Sequence, residues 1–387
     1  MHKKFMSFLA ASHLTNDLTV GALPAILPFL ISIYGIDYQA AAWLMFAYAL
    51  MSSFIQPIFG HIADRTSFTW FMSLGIFINC LGMSLIGFSE HYWAIFASFM
   101  VCGVGSAIFH PEAARLVNSL SGKKKGSGIG IFSVGGNLGF TLGPVLSVAM
   151  ILGFGMKGLF IFTIIGTAMA IFLIWQVPKI KQTITTADQV SVVADKIETK
   201  VLENDWRGFS KLTFIIIGRS IIFSGLMAFI PLYWINVLMQ SNATGASALT
   251  ILFAFGVVVT LIGGFLSDKL GYRKTMMVFC SLIAPLVFIL NNTTNLMFAT
   301  FLLIPLGFSI FAPFSAMIVL GQTYLGKSVG FASGVTMGLA FSVGGMVLPV
   351  LGWVADNYGL QQAMEIIVYV AIVTALFTFF LPKPKNV

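Results

Sequence analysis

Long apolar segments alternate with short polar stretches along the whole chain. A bilayer core about 30 Å thick is crossed by a helix of roughly 20 apolar residues, and these segments reach that length. Backbone groups in hydrocarbon must pair within their own segment, so runs of this length predict membrane-spanning helices rather than a barrel. We count twelve predicted spans, near 5–33, 41–63, 69–89, 92–118, 126–153, 156–177, 209–238, 246–267, 273–291, 294–320, 328–354 and 361–381.

Several sequence motifs occur twice along the chain. Residues 60–65 (GHIADR) and 264–269 (GFLSDK) share Gly-x-x-x-Asp-(Arg/Lys) at an offset of 204, and each copy lies between two predicted spans. Residues 105–111 correspond to 307–313, and 139–144 to 344–349, at similar offsets. Such repeats predict parallel halves related by an axis along the membrane normal. We expect an N-terminal six-helix lobe at 1–177, a cytoplasmic linker at 178–207 and a C-terminal six-helix lobe at 208–387.

Composition and charge agree with a membrane protein. The chain is 58% apolar and 9% charged, with a mean hydropathy of +0.95, which leaves too little polar surface for a soluble fold. Its net charge of +8 reflects topology rather than nucleic-acid binding, because the basic residues collect on one side of a twelve-span chain. The positive-inside rule then predicts cytoplasmic termini. These basic residues are Lys3, Lys4, Arg65, Lys123, Lys124, Lys125, Lys179, Lys181, Arg207, Lys211, Lys269, Arg273, Lys274, Lys327, Lys383 and Lys385.

Several ionisable residues interrupt the apolar spans. Each costs about 2.5 to 3.5 kcal/mol to insert, so such residues usually face a cavity or a partner. In the first span, His13, Asn16 and Asp17 have the spacing i, i+3, i+4 and share one helical face. Asp17 lies about 18 Å from the cytoplasmic end of its span. We interpret Asp17 as a candidate proton carrier; a structural ion pair is the alternative.

The fourth and seventh spans carry further charges. His110, Glu112 and Arg115 lie about 15, 12 and 8 Å from the cytoplasmic end, and Arg219 lies at about 15 Å. Glu112 is a second candidate carrier or the partner of Arg115 in a static salt bridge. His13 and His110 either relay protons or are hydrogen-bonded core residues. Further candidate substrate contacts are Asn16, Arg115, Asn137, Tyr233 and Trp234.

Arg219 has no counterpart in the first half, where the equivalent residue is Thr15. A planar guanidinium can hold a carboxylate or phosphonate through two hydrogen bonds, which favours a role in anchoring an anion. An ion pair with Asp17 across the two lobes is the other interpretation, and both can hold in different states of one cycle.

The hairpins at 60–65 and 264–269 resemble the signature of the major facilitator superfamily. The second copy follows it through Gly264, Asp268, Lys269, Gly271, Arg273 and Lys274, whereas the first departs after Arg65. The resemblance implies an all-α integral membrane protein with twelve transmembrane helices in two six-helix pseudo-symmetric lobes. It also implies that the first, fourth, seventh and tenth spans line a central cavity, where Asp17, His13, His110, Glu112 and Arg219 meet. We expect Asp64, Arg65, Asp268, Lys269, Arg273 and Lys274 to latch the cytoplasmic face; solvated charges that only set orientation are the alternative.

Two narrower resemblances concern function. Residues 135–144 (GGNLGFTLGP) are similar to a motif associated with the superfamily's antiporters, although tight helix packing alone also explains such glycines. Residues 13–17 (HLTND), 23–28 (LPAILP) and 103–115 (GVGSAIFHPEAAR) look like the fosmidomycin resistance protein branch. This branch implies proton-coupled efflux of a small anionic phosphonate by alternating access, in the bacterial inner membrane.

Other functions remain as alternatives. Proton-driven uptake of an anionic metabolite is the main one, followed by a transporter-like sensor and by export of a divalent metal. No His-Glu-x-x-His motif and no nucleophile beside a base occur, so we expect no enzyme. We expect no cofactor, no resident metal and no nucleic-acid partner. The expected partners are an anionic small molecule, protons and the lipid bilayer, with the chain acting as a monomer.

Overall fold

The computed structural model shows an all-helical chain arranged in two lobes. It describes residues 3–65, 70–121, 125–191, 204–326 and 329–383. The N-terminal lobe contains α1 (Lys3–Tyr34), α2 (Tyr38–Arg65), α3 (Trp70–Phe88), α4 (Tyr92–Ser121), α5 (Lys125–Phe154) and α6 (Phe160–Ser191). The C-terminal lobe contains α7 (Trp206–Asn236), α8 (Asn242–Leu270), α9 (Tyr272–Asn291), α10 (Leu296–Phe311), α11 (Pro313–Tyr324), α12 (Val329–Tyr358) and α13 (Leu360–Phe379).

These helices make twelve spans, because α10 and α11 together form one crossing. Ten helical segments among the described residues are long and apolar enough to cross a membrane. The two other spans, α2 and α12, have 28 and 30 residues and are therefore about 42 to 45 Å long, which exceeds a bilayer core. The predicted fold class is confirmed.

Two helices differ from the predicted segments. The tenth span, predicted as one run at 294–320, is divided between α10 and α11 at Pro313, which has no backbone N–H to donate. Helix α6 continues to Ser191, so the first part of the expected linker is helical. On the far side of residues 192–203, Asp205 caps α7 by accepting a hydrogen bond from the backbone N–H of Gly208 at 2.8 Å.

The bundle has two ends. We call the end where α1 begins and α13 ends the terminal face, and the end where α1 meets α2 the distal face. At the distal face, the carboxylate of Asp356 at the end of α12 accepts hydrogen bonds from the backbone N–H groups of Tyr38 and Gln39, at 2.8 and 2.7 Å. Because α12 and α2 belong to different lobes, this contact joins the lobes at the distal face.

Four phenylalanines meet between the lobes. Phe140 on α5 lies 6.3 Å from Phe223 and 5.5 Å from Phe253, measured between ring centroids. Phe311 at the end of α10 packs against both Phe223 and Phe253. This group, which we call the phenylalanine cluster, is one helical turn closer to the distal face than Arg219, since Phe223 follows Arg219 by four residues on α7. The lobes are therefore in apolar contact between the membrane centre and the distal face.

Candidate functional site

Helices α1 and α5 pack unusually closely through glycines. An ideal Cβ on Gly139 would lie 2.6 Å from the carbonyl oxygen of Leu14, and one on Gly21 would lie 2.6 Å from the carbonyl oxygen of Phe140. No side chain fits at those separations, so glycine is required on both helices. The glycines of residues 135–144 thus have a packing role, and they bring α5 against the polar face of α1.

Three ionisable side chains meet at this contact. His13 Nε2 lies 3.1 Å from Asp17 Oδ2, and His110 Nε2, from α4, lies 3.5 Å from Asp17 Oδ1. Asp17 is almost fully buried, whereas the side chain of His110 retains 26% of its exposure. We call His13, Asp17 and His110 the polar cluster. His110 is its most accessible member.

Each histidine is oriented by a backbone carbonyl. His13 Nδ1 lies 2.8 Å from the carbonyl oxygen of Phe132, on whose ring the imidazole stacks at 4.0 Å between centroids. His110 Nδ1 lies 2.9 Å from the carbonyl oxygen of Ser106. A carbonyl oxygen can only accept, so each Nδ1 carries a hydrogen and each Nε2 is directed at the Asp17 carboxylate. The polar cluster therefore brings three hydrogen-bond acceptors together, which is favourable only if protons or a cation lie between them.

A hydrogen-bond network of two asparagine side chains extends from Asp17 to α3. Asn16 Nδ2 donates to Asp17 Oδ1 at 2.9 Å, and Asn79 on α3 donates to both the side-chain and backbone oxygens of Asn16, each at 2.9 Å. Thr19 in turn donates to Asn79 Oδ1 at 2.8 Å. Asn79 and Thr19 were not among the residues predicted from the sequence. A buried amide within the apolar third segment was the available signal for Asn79.

Arg219 is buried inside the C-terminal lobe. Its Nη1 donates to the carbonyl oxygen of Ile310 at 3.2 Å, and its guanidinium carbon lies 5.6 Å from the centre of the Phe314 ring. Within the described residues, Nε and Nη2 have no hydrogen-bond partner. The side chain is 1% exposed, and the ionic contacts of Asp17 are with the two histidines. Among the described residues, Arg219 and the polar cluster are therefore not joined by an ion pair in this conformation.

The other predicted contacts lie in different places. Glu112 is buried on α4, two residues beyond His110 and so on another side of that helix. The side chain of Arg115 lies outside the described residues. Asn137 Nδ2 donates to Thr260 Oγ1 on α8 at 3.1 Å, which makes it a contact between the lobes.

Tyr233 and Trp234 lie near the distal end of α7. The Tyr233 hydroxyl donates to the carbonyl oxygen of Asn291 at 2.9 Å, and both rings are buried in the C-terminal lobe. They follow Arg219 by 14 and 15 residues, or about 21 to 23 Å along the helix. The structure does not bring them into one site with Arg219.

The hairpin charges are at the terminal face, as their positions between spans require. Arg273 Nη2 donates to the carbonyl oxygen of Phe379 at 2.8 Å, a favourable position for a cation because α13 ends there. That contact lies within the C-terminal lobe. Lys269 and Lys274 are exposed. The side chains of Asp64, Arg65 and Asp268 lie outside the described residues.

A two-lobed helical membrane protein with ionisable side chains buried near the membrane centre has the architecture of a transporter rather than of an enzyme. The chain matches the Major Facilitator Superfamily over residues 9–349 and belongs to it.

Two relatives and one solved structure illustrate the similarity. The chain is 29% identical to the fosmidomycin resistance protein of Escherichia coli (strain K12), over 98% of this chain and 92% of that protein. It is 24% identical to a probable L-galactonate transporter of the same strain, over 61% of this chain and 55% of that protein. A bacterial homologue of the human lysosomal transporter Spinster, in an inward-facing and occupied conformation, superposes with a TM-score of 0.77 at 16% identity, over 98% of this chain and 96% of the other.

Proposed function

We propose that the protein exports a small anionic compound, such as fosmidomycin or a related phosphonate, in exchange for protons. The observation that carries this proposal is the convergence of both histidine Nε2 atoms on the carboxylate of Asp17, at 3.1 and 3.5 Å. Three acceptors that face one another in a buried site need protons between them. The polar cluster thus has the chemistry of a proton carrier, with Asp17 at its centre and Glu112 as a second candidate.

Arg219 supplies the anion-binding side of the proposal. A buried guanidinium whose Nε and Nη2 have no hydrogen-bond partner among the described residues is costly, and an anionic ligand would offset that cost. The side chain is closed off in this conformation, so substrate reaches it when the lobes move. Asn16, Asn137 and Arg115 are the proposed neighbouring contacts.

The orientation follows from charge. Among the described residues, the terminal face carries Lys4, Lys179, Lys211, Lys269 and Lys274, whereas Lys157 is at the distal face. By the positive-inside rule, this distribution supports the proposal that the terminal face, and both termini, lie in the cytoplasm of a bacterial inner membrane. The contacts of Asp356 and of the phenylalanine cluster would close the outward side.

In the proposed cycle, the two lobes rock about the site. Protons from the outward side load Asp17 or Glu112, and the anion is released from Arg219. Contacts between the lobes that form in only one state, such as that of Asp356 and those proposed for the hairpin charges, would set the balance between inward-open and outward-open forms.

The test is resistance in an efflux-deficient bacterium. Expression of the wild type should raise the inhibitory concentration of fosmidomycin. Asn at residue 17 retains the shape but cannot take up the carboxylate proton, so Asp17→Asn should abolish the rise and its pH dependence. Arg219→Ala should also abolish it, and Arg219→Lys should restore part of it because the charge returns without the planar fork.

Glu90→Gln is the matched control, because it removes an exposed carboxylate of a distal-face loop. It should leave resistance unchanged. The site assignment is wrong if Asp17→Asn and Arg219→Ala, present in the membrane at wild-type level, both confer full resistance with unchanged pH dependence.

Uptake of an anionic metabolite is the second candidate, and the similarity to a probable L-galactonate transporter favours it. Proteoliposomes with an imposed pH gradient separate the two. Movement of the anion against the proton flow supports antiport, whereas movement with the protons supports uptake. If neither the anion nor protons move, a sensor would be favoured.

A further inference from the structure

The polar cluster has the side chains of a transition-metal site, and each of its histidines is also held by a backbone carbonyl oxygen. Two imidazoles and one carboxylate are ligands that Zn²⁺ and similar ions accept in proteins. No resident metal was expected from the sequence, where export of a divalent metal was the last alternative, because His13 and His110 lie on different helices without the short spacing of a metal motif. We propose that His13, Asp17 and His110 bind one divalent transition-metal ion of the Zn²⁺ class, through the two Nε2 atoms and a carboxylate oxygen.

The tautomers are set for this role. Histidines that bind metals usually donate their second ring N–H to a carbonyl or carboxylate, which fixes the ring and leaves the other nitrogen free. Both histidines here have that arrangement, His13 with the carbonyl of Phe132 at 2.8 Å and His110 with that of Ser106 at 2.9 Å. Each ring thus directs a lone pair at Asp17.

The dimensions fit a tetrahedral ion. Bonds of about 2.0 to 2.1 Å to nitrogen and oxygen place neighbouring ligand atoms about 3.3 Å apart. The two contacts to Asp17 are 3.1 and 3.5 Å, and all three ligand atoms lie within 4.8 Å of one another. The two contacts reach different oxygens of Asp17, so binding through one oxygen requires the side chains to rotate. Three protein ligands leave the fourth position for water.

The charge also fits. With both histidines protonated and Asp17 ionised, the polar cluster has a net charge of +1. With both histidines neutral and one divalent ion bound, it again has +1. A metal therefore replaces two protons without adding charge to a low-dielectric site, where extra charge is costly. The partial exposure of the His110 side chain, 26%, gives an ion a route to the cluster.

Direct binding is the first test. The full chain, purified in detergent with a tag that lacks histidine, is titrated with Zn²⁺ by calorimetry near neutral pH. One ion per chain should bind, and Asp17→Asn and His110→Gln should each weaken binding by about tenfold or more, since losing even an outer-sphere partner costs that much. His91→Gln removes an exposed histidine of a distal-face loop and should change nothing.

X-ray absorption of the wild-type complex gives a readout that does not depend on any variant. Two imidazoles and further N/O ligands at about 2.0 to 2.1 Å are expected. Equal Zn²⁺ affinity in wild type and both cluster variants, or a spectrum without imidazole ligands, would overturn the proposal.

Competition with transport depends on the proposed proton role of the same cluster. Zn²⁺ added to proteoliposomes should inhibit anion transport by the wild type and by His91→Gln at the concentration that saturates binding. Binding is measured on purified protein without substrate, so failure of fosmidomycin export leaves the metal site intact. Conversely, if the wild type binds no Zn²⁺, its export of fosmidomycin still stands as a separate result.

Discussion

Gly136→Ala would disturb the polar cluster by a defined distance. An ideal Cβ at residue 136 would lie 2.7 Å from Asp17 Oδ2 and 2.5 Å from His13 Cε1. Ordinary van der Waals contact begins at 3.4 Å, so the two side chains must retreat by about 0.7 and 0.9 Å. Since His13 Nε2 and Asp17 Oδ2 are 3.1 Å apart, retreats of this size can carry them beyond hydrogen-bond range.

The expected effect on activity is larger than that on stability. Alanine is favoured over glycine by about 1 kcal/mol within a helix, and overpacking costs about 1 to 3 kcal/mol, so the free energy of unfolding should fall by at most about 2 kcal/mol. Loss of a hydrogen bond to a charged group costs about 1.5 to 3 kcal/mol, which corresponds to a ten- to hundredfold loss of rate if the cluster carries the coupling proton.

Gly130→Ala and Gly153→Ala are matched controls on the same helix. Among the described residues, a Cβ at either position meets no atom within 4 Å, so both variants should fold and transport like the wild type. Anion flux driven by a pH gradient in proteoliposomes, normalised to the amount of inserted protein, measures the effect. If Gly136→Ala transports at the rate of these controls, the fit of α5 against α1 does not set the cluster geometry.

Two further predictions concern closure at the distal face. Asp356→Ala removes a helix cap supplied by the other lobe, at a cost of about 0.5 to 2 kcal/mol, and should increase the separation between spin labels at the distal ends of α1 and α7. Asp37 caps the same helix from within its own lobe, accepting a hydrogen bond from the N–H of Ala40 at 2.7 Å. Asp37→Ala should therefore leave the label separation unchanged, and equal shifts in both variants would contradict the interpretation. Phe140→Ala opens the phenylalanine cluster and should let protons leak through vesicles without substrate. Phe88→Ala, an exposed aromatic residue, should not, and tight vesicles with both variants would show that the cluster is not a seal.

The fold could be predicted from the sequence because its cause is local. Each span needs only its own run of apolar residues, and the offset of 204 identifies the duplication without any contact information. The division of the tenth span was missed, since hydropathy stays high across Pro313 although the helical hydrogen bonding is interrupted there.

The candidate site could be predicted only in part. His13 and Asp17 share a helical face by spacing alone, and the depth of His110 placed it in the same layer. Contacts between helices depend on how each helix is rotated and packed, which the periodicity of apolar residues does not encode. Asn79 was missed for this reason. For the same reason, the sequence could not show that Arg219 contacts Ile310 and Phe314 in this conformation; its place in a common layer with Asp17 stays a prediction.

Helix α5 links the two halves of the proposed mechanism. Gly136 lies against the polar cluster, the next residue, Asn137, donates to Thr260 across the lobe boundary, and Phe140 belongs to the phenylalanine cluster. These three residues lie within about one and a half turns of a rigid helix. In the proposed mechanism, a change in the protons or metal held by Asp17 would alter how closely α1 fits α5, and α5 would carry that change to α8 in the other lobe. Because the glycines at the α1–α5 contact leave no side chain to absorb a shift, the movement would pass along α5.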